Sequence, residues 1–353
     1  MNYGVLFGGR SYEHDISVIT ATQVAAALNG NVFPIYARNG EFFLVRDKME
    51  VSKFAKNRAR FTKIRFDSIN EKGLIRYGVH KIDIDCMVMC CHGGEGEDGR
   101  FSALMEVYGF PYTASSPFVS ALTMDKVAEK VYFDRYNIKN AKGVSVRKGE
   151  KLSFSDLRFP LIVKPSHLGS SIGIRAAHNE EELSEALDVA FSFDDEVLIE
   201  EMIRNVTELN CAAFSEGEEI ILSAVERPVT WHEFLTFDDK YRGGKYKVGS
   251  NRFEDNALTE RVRELTEKVY RSLGLFGIAR IDFLYDEAAD ELYVNEVNSQ
   301  PGSMAYSLFE KVGISFPSMI TRVAAQAIER YNNKGIIRFN SGVLDNLCDF
   351  HSK

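Results

Sequence analysis

The sequence predicts an α/β protein whose N-terminal domain is built on a parallel β-sheet. Short apolar runs that are typical of strands alternate with amphipathic helical segments through the first 120 residues. A Gly-Gly pair directly follows the first of these strands. At 353 residues the chain is long enough for two or three domains. Since parallel sheets bind ligands at the carboxyl ends of their strands, residues that follow the predicted strands are the first functional candidates.

The first segment, residues 1–120, contains three predicted strands and two predicted helices. The strands are expected at residues 3–7, 32–36 and 84–91. Apolar residues recur on one face between residues 17 and 28, which indicates a helix, and a second helix is expected at 101–108. This alternation is the pattern that predicts the parallel sheet.

The second segment, residues 121–214, and the third, residues 215–353, are expected to form two further domains. One long helix (120–136), a strand (160–164), a helix (180–191) and a strand (196–201) are predicted in the second segment. The third is predicted to contain a polar, Gly-rich loop (231–251), an amphipathic helix (258–273) and two strands (279–284 and 292–297) around a tight turn.

Composition narrows the class of protein. Hydrophobic residues make up 45% and charged residues 27%, a balance typical of globular proteins. The net charge of -8 argues against a nucleic-acid partner. No apolar stretch approaches the ~20 residues that span a bilayer, and the N-terminal apolar run is too short for a signal peptide. We therefore expect a cytoplasmic protein without a membrane partner. Five sparse cysteines predict small buried side chains rather than disulfides.

Three oxygen-bearing side chains follow the pattern of a metal site. Glu296 and Asn298 are two residues apart on one predicted strand, so they share a face, and Asp282 alternates with apolar neighbours on the other strand. If the two strands pair, an Asp, a Glu and an Asn converge, and such ligands suit Mg²⁺. A solvated sheet face with cross-strand partners is the alternative interpretation.

Two loops have the composition of phosphate-binding segments. Lys164 ends an apolar strand, and residues 169–173 follow as a Gly/Ser loop whose N–H groups could bind phosphate. The spacing is not that of a Walker A loop, and an ordinary turn fits equally well. Residues 237–247 carry four basic residues and two tyrosines around a Gly-Gly pair. This loop could be a lid over phosphate or a solvated hairpin.

Two polar turns follow strands of the first segment. Residues 11–14 contain Glu13, which could hold a substrate ammonium group. Residues 92–98 begin with His92 and end with Glu97 and Asp98. The last two are predicted to be N-terminal acids of the helix at 101–108, where they would favour the helix dipole.

Six motifs in a fixed order together resemble D-alanine–D-alanine ligases over residues 3–330. They are Gly8-Gly-Arg-Ser-Tyr-Glu-His14, His92 with Gly96-Glu-Asp-Gly99, Ser120-Ala-Leu-Thr-Met-Asp-Lys126, Lys164-Pro with Gly169-Ser-Ser-Ile-Gly173, Ala279-Arg-Ile-Asp282, and Asn295-Glu-Val-Asn298 with Pro301-Gly302. The resemblance implies a Rossmann-like N-terminal domain followed by a two-domain ATP-grasp fold. It also implies that ATP activates one D-alanine as an acyl phosphate, which a second D-alanine attacks, for peptidoglycan precursor synthesis.

The resemblance also implies roles for individual residues. ATP and two Mg²⁺ ions, with Mn²⁺ as a possible substitute, would be bound, and a homodimer is the family expectation. The residues implied to bind ATP are Lys126, Lys164, Ser171, Glu200, Glu201, Ile203, Glu208 and the lid residue Lys240. Those implied to act on the amino acids are Glu13, Ser170, Tyr241, Arg280, Gly302, His92, Ser307 and Leu308, and the metal ligands are Asp282, Glu296 and Asn298.

Two rival functions stay open at this point. An ATP-grasp ligase with another acceptor, D-serine or D-lactate, would share most of these motifs. The Lys240-Tyr241 pair favours an amino-acid acceptor, because relatives that form depsipeptides usually change that tyrosine. A non-catalytic ATP-binding relative is the other rival, and the intact lysines and acids argue against it. The sequence departs from the family pattern at Ser299-Gln300 and after the lid, positions that bear on acceptor preference.

Overall fold

The computed structural model describes residues 1–334 except 152, 154, 204–205, 229–251 and 254–255. Three β-sheets follow one another along the chain, with helices packed against them. Among these residues no helix combines the length and the apolar character that crossing a membrane requires. The predicted lid at 237–247, with Lys240 and Tyr241, and the cysteine at 348 lie outside the described residues.

The first sheet has seven strands in the order β6-β5-β4-β3-β2-β1-β7. Strand β1, next to the edge strand β7, pairs in parallel with β2 and β7, whereas the pairs from β2 through β6 are antiparallel. The strands are β1 Asn2–Gly8, β2 Asn31–Arg38, β3 Glu41–Val45, β4 Phe61–Ile69, β5 Lys72–Tyr77, β6 His80–Asp83 and β7 Cys86–Met89. The predicted parallel sheet is therefore confirmed for β1, β2 and β7, and four antiparallel strands extend it.

Those four additional strands were not predicted, although one local signal was present. Asn39 and Gly40 join β2 to β3 with φ of 53° and 79°. Asn-Gly between apolar runs is the strongest short-range signal of a two-residue hairpin, because both residues tolerate positive φ.

Helices α1 His14–Ala27, α2 Val51–Ala55 and α3 Arg100–Tyr108 accompany this sheet. Helix α1 begins three residues before its predicted start. Asp98 accepts a hydrogen bond from the first N–H of α3, at 3.0 Å, as its predicted role requires. Glu97 accepts from the N–H of Gly93, at 3.1 Å, and its helix-terminal role stays a prediction. Cys86, Cys90, Cys91 and Cys211 are buried and free, in agreement with the prediction.

Helices α4 Pro117–Met124 and α5 Lys126–Arg135 replace the single helix predicted at 120–136. Asp125 lies between them in an extended conformation, and its carboxylate accepts from the N–H groups of Val127 and Ala128, both at 3.0 Å. Such an N-cap satisfies donors that a helix start leaves open, so a new helix begins at Lys126.

The second sheet is a four-stranded antiparallel sheet in the order β10-β9-β11-β8. Its strands are β8 Gly143–Arg147, β9 Leu161–Pro165, β10 Arg175–Ala177 and β11 Glu196–Glu201, and helix α6 Glu180–Phe191 covers one face. The bounds of α6 and β11 agree with their predictions. Lys164 lies on β9 and is buried.

The third sheet is antiparallel, in the order β14-β13-β12-β15-β16. Its elements are β12 Val206–Glu216, β13 Glu219–Arg227, β14 Arg252–Phe253, helix α7 Ala257–Leu273, β15 Ala279–Asp286 and β16 Glu291–Asn298. The predicted pairing of β15 with β16 and the helix before them are confirmed. Strand β12 begins at Val206, so the domain boundary predicted near residue 214 falls within this sheet. Helices α4 and α5 also pack against it.

The last two helices return to the first sheet. Helices α8 Tyr306–Glu310 and α9 Phe316–Asn332 follow β16. One hydrophobic cluster joins Val5 of β1 and Val88 of β7 to Met319 and Val323 of α9. The same cluster contains Phe214 of β12, so the first and third sheets share one core.

Candidate active site

Two lysines from different elements lie at the junction of the second and third sheets. Lys126 begins α5, and its Nζ donates to the carbonyl of Leu168 at 2.6 Å and lies 3.9 Å from Glu296. Lys164 donates to Asn295 of β16 at 3.1 Å. Two predicted phosphate-binding lysines therefore converge beside the strand that carries the predicted metal ligands.

Glu200 lies buried between Lys164 and Lys130, with a carboxylate oxygen 2.5 Å from the Nζ atom of each. Burial alone would raise the pKa of Glu200, but the two ammonium groups outweigh it and hold that pKa at about 2. The resemblance implies that Glu200 belongs to the adenine hinge. Its carboxylate pairs with both lysines, a role that was not predicted from the sequence, and neither was the role of Lys130.

Replacing Glu200 with Gln should lower the free energy of unfolding by roughly 3–5 kcal/mol at pH 7, because two buried ammonium groups lose their counter-charge. The depressed pKa means that the wild-type contribution is complete above about pH 4.5 and is lost as the pH falls towards 2. Urea unfolding across this range should therefore show a smaller pH dependence in the variant. Glu267→Gln, in an exposed pair with Arg271, is the matched control and should change little. Equal stability of Glu200→Gln and wild type would contradict the assigned network.

The other predicted adenine and ribose residues lie where β11 leads into β12. Glu201 donates its N–H to the carbonyl of Lys142 at 2.8 Å, and its carboxylate accepts from the N–H of Arg158 at 3.2 Å. Ile203 is half-buried and Glu208 lies on β12 opposite Leu284. They thus share the junction with Lys164.

The predicted metal ligands converge as their spacing predicted. Asp282 of β15 lies directly opposite Glu296 of β16, and Asn298 lies two pairs further along, opposite Arg280. The register shifts between the pairs 282–296 and 283–294, which leaves Asn295 as the extra residue of a bulge. Its side chain is the one that accepts from Lys164. The bulge therefore connects the predicted metal ligands to a predicted phosphate-binding lysine.

Arg280 clamps Asp282 with a two-pronged interaction. Its Nε and Nη2 donate to the two carboxylate oxygens at 2.6 and 2.7 Å. Burial would lower the pKa of Arg280, but the carboxylate of Asp282 and the other nearby carboxylates outweigh that effect and raise the pKa above its ordinary value. The guanidinium group is therefore permanently charged. The two side chains therefore hold each other in place on β15, next to the edge strand of the third sheet.

The charge balance around these strands fits a divalent cation. Burial raises the pKa of Glu226, and the Asp282 carboxylate raises it further against the opposing effect of Arg280. Burial and the Glu296 carboxylate likewise raise the pKa of Glu129. Burial is the largest cause of both shifts, so the site disfavours negative charge that has no counter-ion, and the donors at Asp282, Glu296 and Asn298 are all oxygens. A hard cation such as Mg²⁺ suits this set.

The predicted first amino-acid site joins the first and second sheets. The hydroxyl of Ser170 donates to the carboxylate of Glu13. Ser170 and Ser171 have φ of 55° and 56°, a left-handed conformation that is uncommon for serine. Because such conformations persist where the surroundings enforce them, this loop is held in a defined shape. The implied third member of the network, Tyr241, lies outside the described residues.

His92 connects the first sheet to the segment after β16. Its Nδ1 lies 2.7 Å from the carbonyl of Gln300 and its Nε2 lies 2.8 Å from the hydroxyl of Thr20. A carbonyl only accepts, so Nδ1 carries a proton. The hydroxyl oxygen of Thr20 in turn accepts from the N–H of Ser303 at 3.0 Å. Thr20 and Gln300 were missed, because nothing in the local sequence links them to His92.

The segment after Gly302 turns sharply towards α8. Ser303, Met304 and Ala305 have φ of 49°, 54° and 49°, three consecutive left-handed residues. Ser307 is exposed, whereas Leu308 is buried in the core shared with the first sheet. Gly302 and Ser307 thus lie at the site edge, but the side chain of Leu308 is directed into the core, so only its backbone could contact a substrate.

Comparisons with known proteins address the same regions. A family model described as D-ala D-ala ligase N-terminus matches residues 2–115, and one described as D-ala D-ala ligase C-terminus matches residues 127–325. The D-alanine–D-alanine ligase of Thermosipho melanesiensis is 34% identical over 360 residues, covering 98% of each chain. That of Campylobacter lari is 35% identical over 320 residues, covering 88% of this chain and 90% of the relative.

Solved structures of similar proteins have the same fold. The D-Ala-D-Ala ligase of Helicobacter pylori superposes with a TM-score of 0.74 at 29% identity, covering 95% of this chain and all of the other. The VanG D-Ala:D-Ser ligase of Enterococcus faecalis superposes with a TM-score of 0.77 at 27% identity, covering 92% of this chain and 99% of the other.

Proposed function

Because this chain belongs to the D-alanine–D-alanine ligase family, we propose that it joins two D-alanine molecules into a dipeptide with the hydrolysis of ATP to ADP and phosphate. The observation that carries the proposal is the convergence of Lys126, Lys164 and Glu296 at one junction, with Lys126 3.9 Å from Glu296. Such a site can hold a polyphosphate and a cation together. The dipeptide would serve peptidoglycan precursor synthesis in the cytoplasm.

The reaction needs two steps, because a carboxylate is a poor electrophile. The first D-alanine carboxylate oxygen takes the γ-phosphoryl group of ATP, which gives an acyl phosphate and ADP. The amine nitrogen of the second D-alanine, after losing a proton, attacks the acyl carbon to form a tetrahedral intermediate. Phosphate then leaves and the peptide bond remains. The protein must neutralise phosphate charge and keep water from the acyl phosphate.

The nucleotide would lie between the second and third sheets. Lys126, Lys164 and the loop containing Ser171 would bind its phosphates, and Lys240 would close over them. The hinge residues Glu201 and Ile203, with the backbone of Glu200, would contact adenine, and Glu208 would contact the ribose. Asp282, Glu296 and Asn298 would hold two Mg²⁺ ions, or Mn²⁺, which neutralise phosphate charge when bound.

The amino acids would lie between the first sheet and the segment after β16. Glu13, Ser170 and Tyr241 would fix the first ammonium group, and the buried position of His92 supports a role in shaping this pocket. Ser307 and the backbone of Leu308 would bind the second carboxylate. The N–H of Gly302 and Arg280 would stabilise the oxyanion of the tetrahedral intermediate. Since Asp282 occupies Nε and Nη2 of Arg280, its Nη1 group is the donor available for that purpose.

The organisation implied by the family resemblance completes the proposal. We retain three domains and a homodimer, with the second and third domains meeting before β12 because residues 214 and 215 lie within that strand. A different acceptor is the second candidate function, because the VanG D-Ala:D-Ser ligase superposes over 92% of this chain. Gln300 is the residue that bears on a different acceptor. It departs from the family pattern, and its carbonyl binds His92 while its side-chain amide donates to Gly96 at 2.6 Å.

Phosphate release from ATP should require D-alanine, and mass spectrometry should identify the product as D-alanyl-D-alanine. The assay uses the full-length protein with Mg²⁺ and compares D-alanine alone with mixtures of D-alanine and D-serine or D-lactate. L-alanine is the matched control and should release no phosphate above background. A mixed product formed in preference to the D-alanine dipeptide would establish the alternative acceptor. ATP hydrolysis that is independent of every amino acid would refute the ligase assignment.

A further inference from the structure

Residues 166–168 connect β9 to the Gly/Ser loop at 169–173 that the proposed function assigns to ATP phosphates. We propose that His167 is a positioning residue whose protonated ring clamps this phosphate loop to Asp125 and Asp194, so that nucleotide affinity depends on its charge. The inference rests on the proposed function for the identity of the ligand. Contacts of His167 and of its neighbours Ser166 and Leu168 support the proposal.

The first contact is with Asp194, in the turn that leads into β11. The backbone N–H of His167 donates to one carboxylate oxygen at 2.7 Å, and ring Nδ1 lies 3.0 and 3.1 Å from the two oxygens. A carboxylate only accepts hydrogen bonds, so Nδ1 carries a proton. Although burial would raise the pKa of Asp194, these bonds lower it, and the carboxylate stays ionised.

The second contact is with Asp125, the N-cap of α5. Ring Nε2 of His167 lies 3.5 Å from one oxygen of that carboxylate, and the other oxygen accepts from the hydroxyl of Ser166 at 2.9 Å. Burial would raise the pKa of Asp125, but the bond with His167 and the others lower it well below its ordinary range. Because both ring nitrogens face carboxylates, both donate, and the ring is an imidazolium ion.

The surrounding charges are predominantly negative. A ring nitrogen of His167 and carboxylate oxygens of Asp125 and Glu196 lie within 4.8 Å of one another. The same holds for His167 with Asp194 and Asp195. Arg147 contacts Glu196, at 3.3 Å. The hydrogen bond with Asp125, followed by the bond and charge of Asp194, outweighs partial burial and raises the pKa of His167 to about 9.

The clamp also fixes Lys126, because both neighbours of His167 bind that lysine. The N–H of Lys126 donates to the carbonyl of Ser166 at 3.1 Å, and its Nζ donates to the carbonyl of Leu168 at 2.6 Å. Asp125 and Lys126 are adjacent, so one short segment holds the phosphate-binding lysine and the entry to the phosphate loop together. Loss of the His167 proton would leave Asp125 and Asp194 without the cation between them and release this arrangement.

The sign of the pH effect follows from the raised pKa. The stabilising charge is fully present below about pH 6.5 and is lost as the pH rises through about 9. In this range the phosphates of ADP are ionised, and the pKa of Lys164 is raised by Glu200 in spite of burial, so that lysine keeps its charge. Substitution of His167 therefore tests whether this residue causes the weakening of nucleotide binding that we expect above pH 8.

The test is the dissociation constant of ADP in the presence of Mg²⁺, measured by calorimetry on the full-length protein between pH 7.5 and 10. We expect wild type to bind roughly fivefold more weakly at pH 10, a size appropriate to a partly exposed ion-pair cluster. His167→Arg, whose charge persists, should lose most of this slope, and His167→Asn should bind weakly at all values of pH. His178→Asn, at an exposed histidine that pairs with Glu182, is the control and should behave like wild type.

Thermal unfolding of each variant, measured in parallel, separates positioning from general stability. A merely structural His167 would shift the unfolding temperature and leave the pH dependence of ADP affinity unchanged. The same slope in wild type, His167→Arg and His167→Asn would overturn the clamp while leaving ATP ligation intact. Failure of wild type to bind ADP at any pH would overturn both the clamp and the proposed function.

Discussion

Glu296→Gln should fold normally and lose nearly all ligase turnover. The amide keeps the size of the side chain but removes a negative charge that a divalent cation requires. Turnover should fall by about 100-fold or more, since even outer-shell partners of a bound metal typically contribute 10- to 100-fold. Steady-state assays across a Mg²⁺ titration measure the effect, and saturation should shift to higher Mg²⁺ if activity remains detectable.

Glu291→Gln is the matched control for this experiment. Glu291 begins the same strand, β16, and pairs with Lys139 at its distant end. Its substitution should preserve turnover and the Mg²⁺ dependence. If Glu296→Gln were as active as wild type at low millimolar Mg²⁺, the metal assignment of β15 and β16 would be wrong.

Arg280→Lys should reduce kcat by about 10²- to 10³-fold, the usual consequence of losing one oxyanion donor, with a much smaller effect on nucleotide affinity. Lysine keeps the charge, but it cannot hold both oxygens of Asp282 with one planar group and direct a third nitrogen at a developing oxyanion. Rapid-quench measurement of acyl phosphate and dipeptide formation should place the loss in the second step.

Arg261→Lys is the matched control. Arg261 lies on the exposed face of α7, where its guanidinium pairs with Asp290. That variant should retain wild-type kcat. An Arg280→Lys enzyme with weak ATP binding and unchanged kcat would show that Arg280 acts on the nucleotide rather than on the tetrahedral intermediate.

The convergence of the predicted metal ligands could be anticipated because its evidence is local. Asp282 alternates with apolar residues, and Glu296 and Asn298 are two residues apart, so the faces follow from strand geometry once the two strands pair. A short turn between them makes antiparallel pairing the simplest connection. Helix α6 and strand β11 were also predictable from local patterns, because α6 is amphipathic and β11 is apolar. Their predicted bounds agree with the structure.

Other features depended on information that is not local. Asp125 looked like one polar residue within a long helix, and only its capping bonds to Val127 and Ala128 reveal the break. The bond between His92 and Gln300 joins residues 208 positions apart, a contact that periodicity cannot predict. The ion-pairing role of Glu200 was not predicted for a similar reason, because its partners Lys130 and Lys164 lie on two other elements.

The core shared by β1, β7 and α9 has a consequence for biosynthesis. Val5 and Val88 leave the ribosome long before Met319 and Val323, against which they pack. Helix α1 also packs on that face through Val18 and Ala21, but until α9 emerges the face is only partly covered, and a nascent chain in that state exposes apolar surface that favours aggregation. Complete burial of this face therefore waits for α9, and a chain truncated before residue 316 would leave it partly exposed.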